Sequence, residues 1–229
     1  MKVALQKTSL IDYPDKLAAV IFFTGCNLRC PWCHNSQLAL NRGFEEGELM
    51  ELDEVMAFLD KRKAVLSAVV LSGGEALLHR ELTDIVPRIQ EKGFLVKIDT
   101  NGMCPDALET LMAKAAPDFV SLDLKLAPQR YGELGLDGDR LIASARLLAN
   151  GSLAHEYRSL VLPENRMTVQ DVEALAPLAD GSPWYFAPFR GGNCLDPAWN
   201  EKAEPIKADA EALVAAARAA GKNAVMRGF

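Results

Sequence analysis

The sequence predicts an α/β protein built as a partial (β/α)6 parallel barrel that is open on one side. Short, almost continuously hydrophobic segments alternate with amphipathic helical segments, which is typical of a parallel sheet covered on both faces. Six such pairs occur, whereas a closed barrel has eight and usually takes about 250 residues. Because the chain has 229 residues, we predict a single domain that spans residues 1–229.

The predicted strands and helices follow one another in regular alternation. We expect strands at residues 18–23, 68–72, 95–99, 119–124, 157–162 and 184–189. We expect helices at 52–62, 81–92, 105–115, 139–149, 169–179 and 208–220, before a short strand-like tail at 223–226. Chemistry in parallel barrels collects on the loops that follow the strands. Polar residues at the strand ends are therefore the first candidates for a functional site.

The composition predicts a globular protein with a full core, since 49% of the residues are hydrophobic and 24% are charged. A net charge of −6 without a basic stripe argues against a nucleic-acid partner. The longest clean apolar run, residues 17–23, is far shorter than the roughly 20 residues of a membrane-spanning helix. Gln6 and Lys7 stand where a signal peptide would have its apolar core. We therefore expect a cytoplasmic protein with neither a membrane nor a nucleic-acid partner.

Three of the five cysteines lie on one loop after the first predicted strand, at Cys26, Cys30 and Cys33. They could be buried thiols without a chemical role, ligands of a structural zinc together with His34, or ligands of a [4Fe–4S] cluster. A polar loop is a poor place for core thiols, and structural zinc usually draws its ligands from separated segments. The loop favours a cluster, in which three thiolates leave one iron open to a substrate or cofactor.

Polar residues also stand at the ends of the next four predicted strands. The second strand ends in Gly73, Gly74 and Glu75, where paired glycines permit close backbone approach and a carboxylate suits an ammonium group. Each of the later residues alone could be a solvated surface group, but together they predict one polar rim. They could bind ribose hydroxyls, a counter-ion and a carboxylate, and they are Asp99, Thr100, Asn101, Asp123, Lys125 and Arg158.

These residues give the sequence a strong resemblance to the radical S-adenosylmethionine superfamily. The cysteine loop matches the family's C-x3-C-x-aromatic-C pattern, with Trp32 at the position where the family packs the adenine. Residues 73–75 match its G-G-E motif, which holds the amino group of S-adenosylmethionine, although Ala76 replaces the usual Pro. The resemblance implies a [4Fe–4S] cluster on Cys26, Cys30 and Cys33, with S-adenosylmethionine bound by the residues of the polar rim.

Within that superfamily, residues 33–35, 99–102 and 123–125 look like those of the glycyl-radical-enzyme activases. The resemblance implies a one-electron donor such as flavodoxin or ferredoxin, a glycyl radical enzyme as the protein substrate, and an oxygen-labile, anaerobic activity. It places His34 and Asn35 beside the cluster and requires no further catalytic side chain.

The two remaining cysteines, Cys104 and Cys194, are too few for a second cluster. The sequence is therefore most similar to the short activases of anaerobic ribonucleoside-triphosphate reductase. Their tail loop resembles residues 189–197, in which we expect Cys194 to be an ordinary loop residue.

Two alternatives belong to other functional classes. A radical S-adenosylmethionine enzyme acting on a small molecule, such as a 7-carboxy-7-deazaguanine synthase, would also be short and carry one cluster. That group usually has Cys-Asp-Thr where this chain has Cys-His-Asn at residues 33–35. A small iron–sulfur electron carrier is the other alternative, but it would not need the motifs at 73–75 and 123–125.

Overall fold

The computed structural model describes residues 1–229 and divides the chain into two compact units. The first unit consists of Met1–Asn27, Gln37–Thr100 and Asp106–Val120. The second consists of Leu28–Ser36, Asn101–Pro105 and Ser121–Phe229. The assignment of residues 1–229 to a single domain stays a prediction.

The chain forms nine strands and seven α-helices, joined in places by short 3-10 helices. The strands are β1 (Lys2–Tyr13), β2 (Lys16–Phe23), β3 (Met50–Glu51), β4 (Ala68–Gly73), β5 (Leu95–Thr100), β6 (Phe119–Asp123), β7 (His155–Val161), β8 (Trp184–Pro188) and β9 (Ala224–Met226). The helices are α1 (Ser36–Leu40), α2 (Leu52–Arg62), α3 (Leu82–Gln90), α4 (Pro105–Lys114), α5 (Asp139–Asn150), α6 (Val169–Leu175) and α7 (Lys207–Ala219). None of these helices is both long enough and apolar enough to cross a bilayer.

In the first unit the strands pair in the order β3-β1-β2-β4-β5. Strands β2, β4 and β5 are parallel, with Ala18 opposite Ala68 and Ala68 opposite Leu95. Their centres are completely buried, which explains their continuous hydrophobic sequences. Strand β1 is antiparallel to both of its neighbours. It joins β2 through a turn in which Asp15 has a φ of 56°, a conformation that aspartate tolerates better than most residues.

In the second unit β7, β8 and β9 are parallel, with Tyr157 opposite Trp184 and Trp184 opposite Ala224. The rings of Tyr157, Trp184 and Phe186 are fully buried. The indole Nε1 of Trp184 donates a hydrogen bond of 3.0 Å to Ser159 Oγ, which satisfies its one polar atom in the core.

The predicted fold class is confirmed: the protein is α/β, and each unit carries an open, mostly parallel row of strands. The six predicted strands correspond to β2 and β4–β8, and the six predicted helices to α2–α7. The helix predicted at 169–179 ends at Leu175, because Pro177 converts the last turn into a 3-10 helix over Ala176–Leu178. Strands β1 and β3 and helix α1 were not predicted.

Candidate active site at the cysteine loop

The first part of the cysteine loop is held by helix α1. Gly25 N donates to Leu38 O at 2.7 Å, and Cys26 N donates to Ala39 O at 3.1 Å. Gly25 has a φ of +86°, which a residue with a side chain adopts only with strain. The backbone of Cys26 is therefore fixed by a helix that follows it in the chain.

The glycine pair after β4 packs directly on the backbone that leads into this loop. Gly74 N donates to Phe23 O and Glu75 N to Gly25 O, both at 2.9 Å. A Cβ atom on Gly73 would lie 2.2 Å from Phe23 O, and one on Gly74 would lie 2.0 Å from Gly25 O. The structure gives a reason for these glycines, the contact between two backbone segments, and the expected close approach to a ligand stays a prediction.

The carboxylate of Glu75 is buried, with 1% of the residue exposed. Its Oε1 accepts hydrogen bonds from Thr100 Oγ1 at 2.8 Å and from Leu77 N at 3.1 Å. Two predicted site residues, Glu75 and Thr100, are thus in direct contact at the ends of neighbouring strands. The carboxylate is fixed in orientation before any ligand binds.

Asp99 also lies at the end of β5 and is held from two sides. Ser72 Oγ donates to Asp99 Oδ2 at 3.0 Å, and Lys97 Nζ lies 3.3 Å from Asp99 Oδ1. Lys97 was not among the predicted site residues. A lysine two positions before Asp99 in an otherwise apolar strand points to the same face, and this spacing was the available signal.

In the second unit Asp123, Lys125 and Arg158 form one ion group. Arg158 Nε donates to Asp123 Oδ1 at 2.9 Å, and Lys125 Nζ donates to Asp123 Oδ2 at 3.1 Å. Burial alone would raise the pKa of Asp123, but the charges of Arg158 and Lys125 and their hydrogen bonds lower it. The carboxylate of Asp123 is thus bonded to two cations at once.

Lys125 is also close to the second half of the cysteine loop. Burial alone would lower the pKa of its ammonium group, but the negative charges of Asp123 and the Cys30 thiolate raise it well above its usual value. Partial burial and the positive charge of Lys125 lower the pKa of His34. Lys125 therefore interacts electrostatically with both Cys30 and His34.

Trp32 is buried in this structure, with 3% of the residue exposed. Its ring centroid lies 5.3 Å from that of Trp199, and the guanidinium carbon of Arg166 lies 5.9 Å from the Trp32 centroid. Cys194 is buried as well, and its Sγ lies 3.9 Å from Trp32 O. Burial raises the pKa of the Cys194 thiol, and its assignment as an ordinary loop residue stays a prediction.

The predicted site residues fall in both units. The first unit holds Cys26, Gly73, Gly74, Glu75, Asp99 and Thr100, and the second holds Cys30, Trp32, Cys33, His34, Asn35, Asn101, Asp123, Lys125 and Arg158. Asn101 is buried and its Oδ1 accepts from Met103 N at 2.9 Å, so it shapes the turn after β5. Asn35 is half-buried in the cysteine loop.

The chemistry of these residues fits an iron–sulfur cluster with a small amino-acid ligand. None of the five cysteines forms a disulfide bond, so the loop thiols are in the reduced form that ligation of iron requires. No group of three or more His, Cys, Asp or Glu side chains is arranged to hold a single metal ion. The ammonium group of Lys125, which interacts electrostatically with Cys30, suits a bound carboxylate.

An α/β fold with an open, mostly parallel sheet and three thiols on the loop after a central strand defines a class of iron–sulfur enzymes. The chain belongs to the Radical SAM superfamily, whose family model matches residues 20–175. Enzymes of this superfamily use a [4Fe–4S] cluster and S-adenosylmethionine, and these cofactors are assigned to the protein.

Two curated relatives show which radical S-adenosylmethionine enzymes the chain is similar to. The chain is 35% identical over 176 residues to MJ1227 of Methanocaldococcus jannaschii, which is named as a glycyl-radical enzyme activating enzyme. That match covers 73% of this chain and 70% of the relative. Identity to the pyruvate formate-lyase 1-activating enzyme of Escherichia coli K12 is 30% over 167 residues, or 70% and 67% of the two chains. The protein is thus a radical S-adenosylmethionine enzyme homologous to activases.

Among solved structures, the fold is similar to that of Streptococcus suis SuiB bound to S-adenosylmethionine. The TM-score is 0.65 at 17% sequence identity, and the match covers 91% of this chain. The chain spans about half of SuiB, 52% of its length. At this level of identity the likeness concerns the fold alone.

Proposed function

We propose that the protein is an activating enzyme that generates a glycyl radical on a partner enzyme, and that this partner is an anaerobic ribonucleoside-triphosphate reductase. Homology to two activating enzymes supports the reaction class. The Cys-His-Asn sequence at residues 33–35 and the presence of only two further cysteines support the short, single-cluster type.

In this proposal the thiolates of Cys26, Cys30 and Cys33 hold the cluster. The chemistry that a reduced cluster and S-adenosylmethionine supply, when bound, is one-electron cleavage of the sulfonium C–S bond to methionine and a 5′-deoxyadenosyl radical, which takes a hydrogen atom from a glycine. No acid or base on the protein is needed for that step. The chain's own residues bind and orient the cofactors and exclude water from them.

The observation that carries the proposal is the ion group of Asp123, Lys125 and Arg158. Its two cations, Lys125 and Arg158, are donors of the kind that bind a carboxylate. Lys125 also acts on the charge of Cys30. A carboxylate bound there is therefore held beside the cysteine loop, which is the position that the methionine part of S-adenosylmethionine requires.

The remaining rim residues have matching roles in the proposal. Glu75, fixed by Thr100, accepts the amino group, and Gly73 and Gly74 keep the backbone beside it in place. Asp99 and Asn101 lie at the end of β5 on the ribose side. Trp32 is kept among the proposed cofactor-binding residues because of its position in the cysteine loop, although its ring packs on Trp199.

Three further points belong to the same proposal. A flavodoxin or ferredoxin supplies the electron, the activity is anaerobic and cytoplasmic, and neither a membrane nor a nucleic acid takes part. The net charge of −6 supports the absence of a nucleic-acid partner.

The test is anaerobic reconstitution with iron and sulfide, then incubation with S-adenosylmethionine, dithionite and one partner at a time. We expect methionine and 5′-deoxyadenosine, and a glycyl radical signal in electron paramagnetic resonance with anaerobic ribonucleoside-triphosphate reductase but not with pyruvate formate-lyase. A radical signal with pyruvate formate-lyase but not with the reductase would support the activase class and would identify pyruvate formate-lyase as the partner. Cleavage of S-adenosylmethionine without a radical on any glycyl radical enzyme would favour a small-molecule substrate.

A further inference from the structure

The segment that follows β8 runs along the second half of the cysteine loop. Leu195 N donates to Cys33 O at 2.9 Å, and Asp196 N donates to Pro31 O at 3.0 Å. We call residues 191–200 the bracing segment. Two successive amides of this segment thus satisfy two carbonyls of the loop that carries the thiols.

Side chains extend this contact. Cys194 Sγ lies 3.9 Å from Trp32 O, so the bracing segment touches the backbone of three consecutive loop residues. The ring of Trp199 packs on Trp32 at 5.3 Å and on Phe189 at 5.7 Å, between centroids. Trp199 is buried, with 8% of the residue exposed. The aromatic contact is therefore a second, buried link between the bracing segment and the cysteine loop.

The bracing segment has its own internal supports. Asn200 Oδ1 accepts a hydrogen bond of 2.8 Å from Cys194 N, and Asp196 Oδ1 accepts one of 3.0 Å from Ala198 N. A Cβ atom on Gly191 would lie 2.9 Å from Asn200 O, so the two ends of the segment are in contact. Asn200 consequently fixes the curvature that presents the amides of Leu195 and Asp196.

The cysteine loop has no regular secondary structure to hold it in place. Residues 24–35 contain no helix or strand. Within the second unit its backbone anchors are the turn from Cys33 N to Cys30 O at 3.0 Å and the bond from Arg29 N to Leu134 O at 2.9 Å. A segment without helix or strand opens more easily than regular secondary structure does, and each opening moves the thiols.

We propose that the bracing segment is a positioning element that holds the Cys30 and Cys33 half of the loop in its cluster-binding conformation, with Asn200 and Trp199 as positioning residues. The inference rests on the proposed ligation of iron by the loop cysteines but not on the identity of the partner enzyme. Its first readout is taken on the protein before cluster assembly, so failure of the brace and failure of the proposed function give different results.

The test compares Asn200→Ala with Glu201→Ala, the removal of an exposed neighbouring side chain. Amide hydrogen exchange of residues 28–36 in the cluster-free protein should rise about fivefold in Asn200→Ala, the effect of one lost hydrogen bond. The melting temperature should stay the same, and Glu201→Ala should match wild type in both. Asn200→Asp keeps the acceptor oxygen and should restore the slow exchange.

The second readout is retention of the cluster. After anaerobic reconstitution, Asn200→Ala should lose iron to a chelator about fivefold faster than wild type and Glu201→Ala, at the same initial iron content. Exchange that increases in residues 191–200 while residues 28–36 remain as in wild type would overturn the proposal. If Asn200→Ala does not fold, the test uses Trp199→Phe with the same two readouts and the same criterion. This variant keeps a buried ring but reduces the contact area with Trp32.

Discussion

Lys97 Nζ lies 3.3 Å from Asp99 Oδ1, and the two side chains are only 2% and 10% exposed. Lys97 also donates to the carbonyl of Asp12 in β1, so the ammonium group joins the hairpin to the end of β5. Two charges buried together depend on each other, since removal of one leaves the other without compensation in a medium of low polarity. Lys97 therefore helps to fix the position of a proposed cofactor-binding residue.

Replacement of Lys97 by Met should lower the free energy of unfolding by about 3–5 kcal/mol, because the carboxylate of Asp99 loses its cation in the interior. Chemical denaturation measures this change. Lys92→Met is the control, since Lys92 pairs with the much more exposed Asp60 and such pairs contribute at most about 1 kcal/mol. The double variant Lys97→Met/Asp99→Asn should recover part of the loss. Equal stabilities of the two single variants would contradict the assignment.

Gly74→Ala should destabilise the protein by at least about 3 kcal/mol, because the new Cβ would lie 2.0 Å from Gly25 O and only backbone movement relieves it. Thermal unfolding followed by circular dichroism measures the effect. Gly181→Ala is the matched control, since a Cβ atom at that position would meet nothing within 4 Å. If Gly74→Ala has the same melting temperature as Gly181→Ala, the two backbone segments are not in contact.

Lys125→Ala should weaken binding of S-adenosylmethionine to the cluster-replete protein about tenfold to hundredfold, the effect of losing one charge-assisted hydrogen bond of roughly 1.5–3 kcal/mol. Calorimetric titration measures the dissociation constant. Lys114→Ala, which removes an exposed lysine at the end of α4, serves as the control. An unchanged constant in Lys125→Ala would remove the ion group at β6 from the proposed site.

Single replacements of Cys26, Cys30 and Cys33 by Ala should each abolish assembly of the [4Fe–4S] cluster, because a cube held by three thiolates is not closed by two. Iron and sulfide analysis after anaerobic reconstitution measures the loss. Cys104→Ala should bind iron like wild type, and so should Cys194→Ala. A Cys104→Ala protein without a cluster would show that the ligand set is wrong.

The sequence predicted those parts of the fold that leave a continuous apolar pattern. Strands β2 and β4 are buried on both faces and were recognised, whereas β1 has only Val3, Ser9 and Tyr13 buried and shows no hydrophobic period. Lys97 escaped notice because a lysine is seldom buried, and its pairing with Asp99 depends on tertiary packing.

The candidate site likewise has some features with a local sequence signal and others that depend on tertiary packing. The cysteine spacing and the glycine pair are local signals, and both led to the superfamily that the family model supports. The contact between Cys194 and Trp32 joins residues 162 positions apart, and no periodicity or spacing in a single sequence carries that information. Its recognition required the folded chain.

The 162 positions between Trp32 and Cys194 also determine the order in which the cysteine loop and the bracing segment are synthesised. A ribosome adds roughly 5–20 residues each second, so the three thiols emerge many seconds before the bracing segment exists. During that interval the loop has α1 to order its first part, but nothing covers the carbonyls of Pro31 and Cys33. The nascent chain thus displays its thiols on an incompletely ordered loop, and the contacts of the bracing segment form only after residue 200 has been added.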